Sequence, residues 1–141
     1  MTALDLPPTR PARILAPALL AVLGVAGMAA VWVLVALIVD RQCAWIAVLT
    51  AFDIGLLLRF GRAAPGFQRA LTTALATLAT GLIANWTIAA TEIGLPMGLS
   101  LTEALQRLGP HHAQTLLGLA NRPGEWAWYA LALAVALWWG R

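Results

Sequence analysis

The longest uncharged apolar segment is the strongest constraint on how this chain folds. No charged residue occurs between Ile14 and Val39, and Asp40 and Arg41 close the segment. At about 1.5 Å per helical residue, such a segment can cross a hydrocarbon core of about 30 Å. Because 61% of the 141 residues are hydrophobic and 11% are charged, a soluble fold of this size would leave large apolar patches in water. The sequence therefore predicts an integral membrane protein.

Three further apolar segments follow the first. Together the four segments predict an all-α, polytopic fold: a single domain over 14–141 with transmembrane helices at about 14–39, 43–60, 70–91 and 125–139, after a cytoplasmic tail over residues 1–13. The fourth segment is short for a span. It has tryptophans at both ends, Trp126 and Trp128 at one and Trp138 and Trp139 at the other, which is typical of a helix whose ends lie at two membrane interfaces.

The third loop, about 93–124, is too long for a simple connection. Its residues Ser100 to Glu103 form a capping-box pattern, after which Leu101, Leu105 and Leu108 share one helical face. A second short helix is expected over 111–120, with Leu116, Leu117 and Ala120 on its apolar side. We expect these two amphipathic helices to form a cap on the outer membrane face.

The distribution of arginines predicts the orientation. With a cytoplasmic N-terminus, six arginines lie inside and three outside, as the positive-inside rule requires. The inner set is Arg10, Arg13, Arg59, Arg62, Arg69 and Arg141, and the outer set is Arg41, Arg107 and Arg122. We therefore expect a protein of the bacterial inner membrane with both termini in the cytoplasm.

Asp53 is the most unusual residue of the apolar segments. Its distance from the nearest charged residues along helix two places it inside the hydrocarbon, where a carboxylate costs at least about 2.5 kcal/mol. One interpretation is a proton or cation site. The other, which the sequence favours, is a protonated side chain that bonds across helices to a threonine or to Asn85.

Helix three carries a polar, small-residue stripe at helical spacing. Such stripes are typical of close packing between membrane helices, and a helix-packing seam is the favoured interpretation. The alternative is a hydrated path from Glu92 through Asn85 to Asp53. The stripe consists of Thr73, Thr77, Thr80, Ala84, Thr87 and Thr91, and the candidate path residues are Asp53, Asn85, Glu92, Thr77, Thr80 and Thr87.

Helix one offers a second packing surface. Gly24, Ala26, Gly27 and Ala30 are small and recur at helical spacing, so they could serve contacts within the chain or between copies of it.

Several classes of function find no support in the sequence. The nine arginines form no continuous basic stripe, which argues against nucleic acid as a partner. The single cysteine, Cys43, excludes an internal disulfide, and the adjacent His111 and His112 make a poor metal chelate. No catalytic motif is present, and no cofactor is expected.

We therefore expect a non-enzymatic membrane subunit that self-associates or packs on a larger complex. The alternative is a small oligomeric transporter or channel.

Two stretches are similar to small uncharacterised four-helix bacterial membrane proteins. The first runs from Trp45 through Thr50 and Gly55 to Arg59 and Gly61, and the second from Trp126 to Ala136. The resemblance implies the four-helix architecture and no activity. Ala51, Phe52 and Asp53 depart from it where a second glycine is common.

Overall fold

The computed structural model describes the backbone of residues 10–141 and the side chains of residues 14–141, except those at 113, 116, 117, 119 and 120. Over these residues the chain is all-α and contains no strand, so the predicted fold class is confirmed at that level. The helices are α1 (Arg10–Val39), α2 (Ile46–Phe60), α3 (Phe67–Gly94), α4 (Leu101–Arg107), α5 (Pro110–Ala120) and α6 (Pro123–Trp139), with a 3₁₀ turn at Leu95–Met97 between α3 and α4.

Helices α1, α2, α3 and α6 form an antiparallel bundle. Helices α2 and α3 pack against each other, and both α1 and α6 pack against each member of this pair. The bundle therefore has two chemically different ends. The end at which α2 finishes and α3 begins carries Arg59, Arg62 and Arg69, and we call it the arginine end. The opposite end carries Tyr129, the single tyrosine of the chain, and we call it the tyrosine end.

The helix bounds differ from the predicted ones for local reasons. Helix α1 begins at Arg10, inside the predicted tail; residues 1–9 of that tail lie outside the described residues. Helix α2 begins at Ile46 rather than at residue 43, because Cys43 has a left-handed φ of 51° and accepts the Ile46 N–H in a turn. Helix α3 is longer than predicted at both ends.

Two described segments are long and apolar enough to cross a membrane, Ile14–Val39 and Phe67–Met97. Helices α2 and α6 contain 15 and 17 residues, which correspond to about 22 and 25 Å. Two of the four predicted spans thus reach the length of a hydrocarbon core of about 30 Å as continuous helices.

The third loop contains two short helices, α4 and α5, which both pack against α3. The predicted capping box is formed: the Ser100 hydroxyl accepts the Glu103 N–H, and the Glu103 carboxylate accepts the Ser100 N–H. Helix α4 folds back along α3, where Ala104 and Leu108 are buried against Ala90. The predicted apolar side at Leu116, Leu117 and Ala120 lies outside the described side chains.

The bundle interior is made of small residues, and its large apolar residues point outward. Trp32, Ile46 and Ile54 are the largest side chains that are fully buried among those described, while most buried positions are alanine or threonine. Large exposed residues cover the outside, among them Ile14, Leu19, Leu23, Leu34, Ile38, Leu75, Leu82 and Leu137. Small interior residues let the backbones approach closely, as they do in membrane bundles.

Candidate functional site

Asp53 lies in the groove between α1 and α2. It is half-buried, and its Oδ2 lies 3.6 Å from the position that a Cβ on Gly24 would occupy. The described residues provide it with no hydrogen bond or ion pair, so the predicted bond to a threonine or to Asn85 is not made. Gly24 allows the close approach of α1 and α2, since a Cβ there would lie 2.6 Å from Cδ1 of Leu57.

Asn85 is buried at the tyrosine end of the bundle. Its Nδ2 donates to the carbonyl oxygen of Gly81 and to the Tyr129 hydroxyl oxygen, both at 2.7 Å. Its Oδ1 is buried and accepts no hydrogen bond from the described residues. Asn85 thus joins α3 to α6, and it does not face Asp53.

The threonines of α3 form a packing seam over much of the stripe. Thr73, Thr77 and Thr80 are buried, and each hydroxyl donates at 2.8 Å to the carbonyl oxygen four residues earlier in α3. Thr87 makes the same kind of bond, to Ile83, from a half-buried position. Because these donors are satisfied within their own helix, the threonines act toward neighbouring helices as small residues.

The candidate path residues are not contiguous within one chain. Ala76 clusters with Ile54 and therefore marks the level of Asp53 on α3. Asn85 lies about 13 Å further along α3, and Glu92, which is exposed, lies about another 10 Å beyond. Thr77 and Thr80 lie between Ala76 and Asn85 and are buried, but their hydroxyls donate to carbonyl oxygens of α3 itself.

The tyrosine end contains contacts that sequence reasoning did not find. Trp32 of α1 stacks on Tyr129 with ring centroids 6.0 Å apart, and its Nε1–H donates to the Gln42 carbonyl oxygen at 2.8 Å. Glu125 accepts the Ala44 N–H at 3.0 Å, so the first turn of α6 satisfies a backbone donor just before α2. Glu125 was not predicted from the sequence to make this contact. Its place after Pro123 in a first helical turn was the available signal.

The arginine end uses guanidinium groups to hold the end of α6. Arg59 Nη2 donates to the Trp139 carbonyl oxygen at 2.7 Å, and its guanidinium lies 4.0 Å from the centroid of the Trp139 ring. Arg69 donates to the carbonyl oxygens of Gly140, at 2.8 Å, and of Arg141. The last carbonyls of a helix lack intrahelical partners and carry its negative partial charge. The two arginines provide these carbonyl oxygens with hydrogen-bond donors and place positive charge beside them. The sequence assigned them to topology alone.

The predicted small-residue surface of α1 is divided between two faces. Gly24 is buried against α2, whereas Ala26, Gly27 and Ala30 are exposed on the side of α1 away from the bundle. A Cβ on Gly27 would meet no atom within 4 Å. We call the exposed set, with its flanking residues Leu23 and Leu34, the open α1 face.

The described part of the chain contains no group of three or more side chains arranged to hold a metal ion. The His111 and His112 rings lie 6.2 Å apart in an edge-on arrangement, at exposed positions on α5.

No protein-family model, curated protein or solved structure matches this chain.

Proposed function

We propose that this chain is a small integral membrane protein of the bacterial inner membrane that spans the bilayer four times, with both termini cytoplasmic. In this proposal it acts as a structural or accessory subunit, and it self-associates through the open α1 face. The observation that carries the proposal is the outward side of α1, which is apolar, has small residues at its centre and is contacted by no other helix among the described residues.

The membrane location is supported by how the apolar surface is distributed. Only 22% of the apolar segment of α1 is buried inside the molecule, compared with 50% of that of α3. Yet α1 is an integral part of the bundle, since Trp32 is fully buried among α2, α3 and α6. A helix that packs on one side and exposes leucines on the other needs an apolar solvent.

The short helices α2 and α6 fit the same placement. Trp126 and Trp138 are exposed near opposite ends of α6, at 57% and 70%, where their rings would lie at two interfaces. Spans a few ångströms shorter than the hydrocarbon core are accommodated by local thinning or by side chains that reach the interface. In this placement Arg59, at the end of α2, is such an interface-reaching side chain.

Self-association is supported by the shape of the open α1 face. Ala26, Gly27 and Ala30 leave a shallow surface between Leu23 and Leu34, on which a second helix could pack closely. In a bilayer, such small-residue surfaces favour helix association because backbones approach and van der Waals contacts increase.

Mass measurement in detergent tests the assignment of this face. We expect Gly27→Leu to shift the solubilised protein toward the monomer, whereas Gly27→Ala keeps the complex. Both variants should fold, since neither meets an atom of the same chain near the Cβ. Ala134→Leu on the exposed side of α6 is the matched control. Dissociation by Ala134→Leu with no effect of Gly27→Leu would move the interface to α6 and refute the assignment.

An oligomeric transporter or channel is the second candidate, and Asp53 favours it. Its carboxyl group is half-buried and lies beside Gly24, at the edge of the open α1 face. Association through this face would bring copies of Asp53 near one another. In this case Asp53→Asn should abolish ion flux into liposomes while the solubilised mass stays the same. If Asp53→Asn left the ion flux unchanged, or if the original protein carried no flux, the transporter or channel function would be refuted and the subunit function would remain.

A further inference from the structure

A cleft of about 820 Å³ opens at the arginine end between α1, the α2–α3 turn and the start of α3. Its apolar wall is formed by Ile14, Pro17 and Ala18 of α1 and by Leu58 of α2, and its polar side is formed by Arg62 and Arg69. The volume lies within the range of pockets that hold small molecules, about 300 to 1,000 Å³. The cleft therefore combines an apolar wall with two positively charged guanidinium groups.

Arg69 is fixed in place at the edge of this cleft. Besides the carbonyl oxygens at the end of α6, it contacts the Ala63 carbonyl oxygen at 3.4 Å. The carbonyl oxygens of Gly140 and Ala63 are neutral, so they position the guanidinium without compensating its charge. A preorganised cation of this kind binds an anion without losing side-chain freedom at the moment of binding.

Arg62 occupies a backbone position that normally favours glycine. Its φ is 58°, in the left-handed region, and its side chain is exposed. A non-glycine residue is uncommon there, although Asp40 and Cys43 share this conformation. The turn thus carries an arginine side chain at a place where a glycine would form the same turn more easily.

The surroundings of the cleft are positive. Of the acidic residues that the structure describes, none belongs to the arginine end: Asp53 lies in the middle of the bundle, and the others are Asp40, Glu92, Glu103 and Glu125 at the opposite end. Helix α3 begins beside the cleft. Its N-cap residue is Gly66, so no side chain caps the first N–H groups of the helix, and its first turn contains no acidic residue. Both features favour an anionic ligand over a neutral one.

We propose that this cleft binds an anionic phospholipid, with the phosphate at Arg62 and Arg69 and an acyl chain against Ile14, Pro17 and Ala18. The inference rests on the proposed membrane location. Basic pockets between membrane helices on the cytoplasmic side are suited to such headgroups.

Native mass spectrometry of the full-length protein with defined lipids tests the site. We expect retention of phosphatidylglycerol over phosphatidylcholine, and about tenfold weaker retention of phosphatidylglycerol by Arg62→Gln, with recovery in Arg62→Lys. Arg107→Gln, which removes an exposed arginine from α4, should retain the lipid normally. Ala18→Phe fills the cleft and keeps both arginines, so it should weaken retention as well.

Other outcomes would overturn the proposal. Equal losses in Arg62→Gln and Arg107→Gln would indicate general surface charge, and no effect of Ala18→Phe would exclude the cleft. Displacement of the lipid by inorganic phosphate at similar concentration would assign the site to free phosphate. The mass of the lipid-free protein and its retention in carbonate-washed membranes are measured on the same variants. A membrane-inserted oligomer without lipid preference refutes the lipid site alone, whereas a chain released by carbonate refutes both this inference and the proposed function.

Discussion

The two ends of the bundle are held together by different chemistry. At the tyrosine end, buried side chains distant in sequence contact one another: Trp32 with Tyr129, and Tyr129 with Asn85. At the arginine end, Arg59 and Arg69 reach backbone carbonyls at the end of α6. The first kind of contact is buried and depends on packing, whereas the second is partly exposed and depends on charge. The tyrosine end should therefore carry more of the stability, and the arginine end should remain more accessible to ligands.

Trp32→Ala should have the largest effect. Trp32 is fully buried, stacks on Tyr129 and donates to Gln42, so its removal leaves a cavity at the centre of the tyrosine end. We expect a loss of about 3 to 5 kcal/mol in the free energy of unfolding, measured in mixed micelles. Trp138→Ala at the arginine end is the control, since Trp138 is 70% exposed. Equal losses in the two variants would contradict the difference between the ends.

Gly55→Ala tests the packing of the arginine end. A Cβ on Gly55 would lie 2.5 Å from Cδ1 of Trp139, whose ring also contacts Phe52 and the Arg59 guanidinium. Because the ring is held on several sides, we expect overpacking to cost about 1 to 3 kcal/mol of unfolding free energy. Gly27→Ala, where the Cβ meets open space, should not destabilise the protein. If Gly55→Ala were equally neutral, the end of α6 would be looser than the structure indicates.

Tyr129→Phe removes one hydroxyl from the tyrosine end and keeps the ring stack on Trp32. Asn85 would then lose its bond to α6, at a cost of about 1 kcal/mol of unfolding free energy. The comparison variant is Asn85→Ala, and the double variant measures the coupling. Additive losses in the double variant would show that the bond contributes nothing.

Arg59→Gln should have a smaller effect, about 0.5 to 1 kcal/mol of unfolding free energy, because the bond to Trp139 and the contact with its ring are exposed. The loss should shrink as salt is added, since exposed charges are screened. A stability change of Tyr129→Phe should not depend on salt. Identical salt dependence of the two variants would contradict the assignment of charge to one end and packing to the other.

The smallest expected effect concerns the capping box at the start of α4, which Ser100→Ala would weaken. Bonds from the Ser100 N–H and hydroxyl hold the pKa of the Glu103 carboxyl below its ordinary value. Because the pKa of Glu103 is lower in the folded state, its carboxylate stabilises the folded state at pH values above the unfolded-state pKa. This stabilisation is lost as the pH falls through the folded-state pKa. An NMR titration should show this low pKa, and Ser100→Ala should raise it. Because the Ser100 backbone N–H remains in this variant, an unchanged pKa would indicate that the Ser100 hydroxyl does not bind the Glu103 carboxyl in solution.

Local patterns were sufficient for several features. The apolar segments predicted helices, and the Ser100 to Glu103 pattern predicted a capping box that the structure contains. The threonine stripe of α3 predicted a seam, and Thr73, Thr77 and Thr80 are buried in it. Such features depend on residues a few positions apart on one helix, so the sequence carries them directly.

The candidate site could be predicted less well. Asp53 and Asn85 are both unusual as polar residues in apolar segments, and the sequence suggested that they meet, through a hydrogen bond or, as the alternative, along one hydrated path. The structure orients Asp53 toward Gly24 and Asn85 toward Tyr129, because each side chain takes its direction from the helix face it stands on. Which faces meet is set by how α1 and α6 pack on the α2–α3 pair, and this information is not local.

The sequence by itself determined that the chain is helical and unusually apolar, since composition and periodicity are properties of the unfolded chain as well. Only the tertiary structure decided which polar groups find partners. It brought Arg59 and Arg69 to the end of α6, left Asp53 half-buried without a partner among the described residues, and left the open α1 face and the arginine-lined cleft exposed. The physical reason is that a hydrogen bond or a packed surface needs two groups brought together from distant positions, and helix packing alone fixes those pairs.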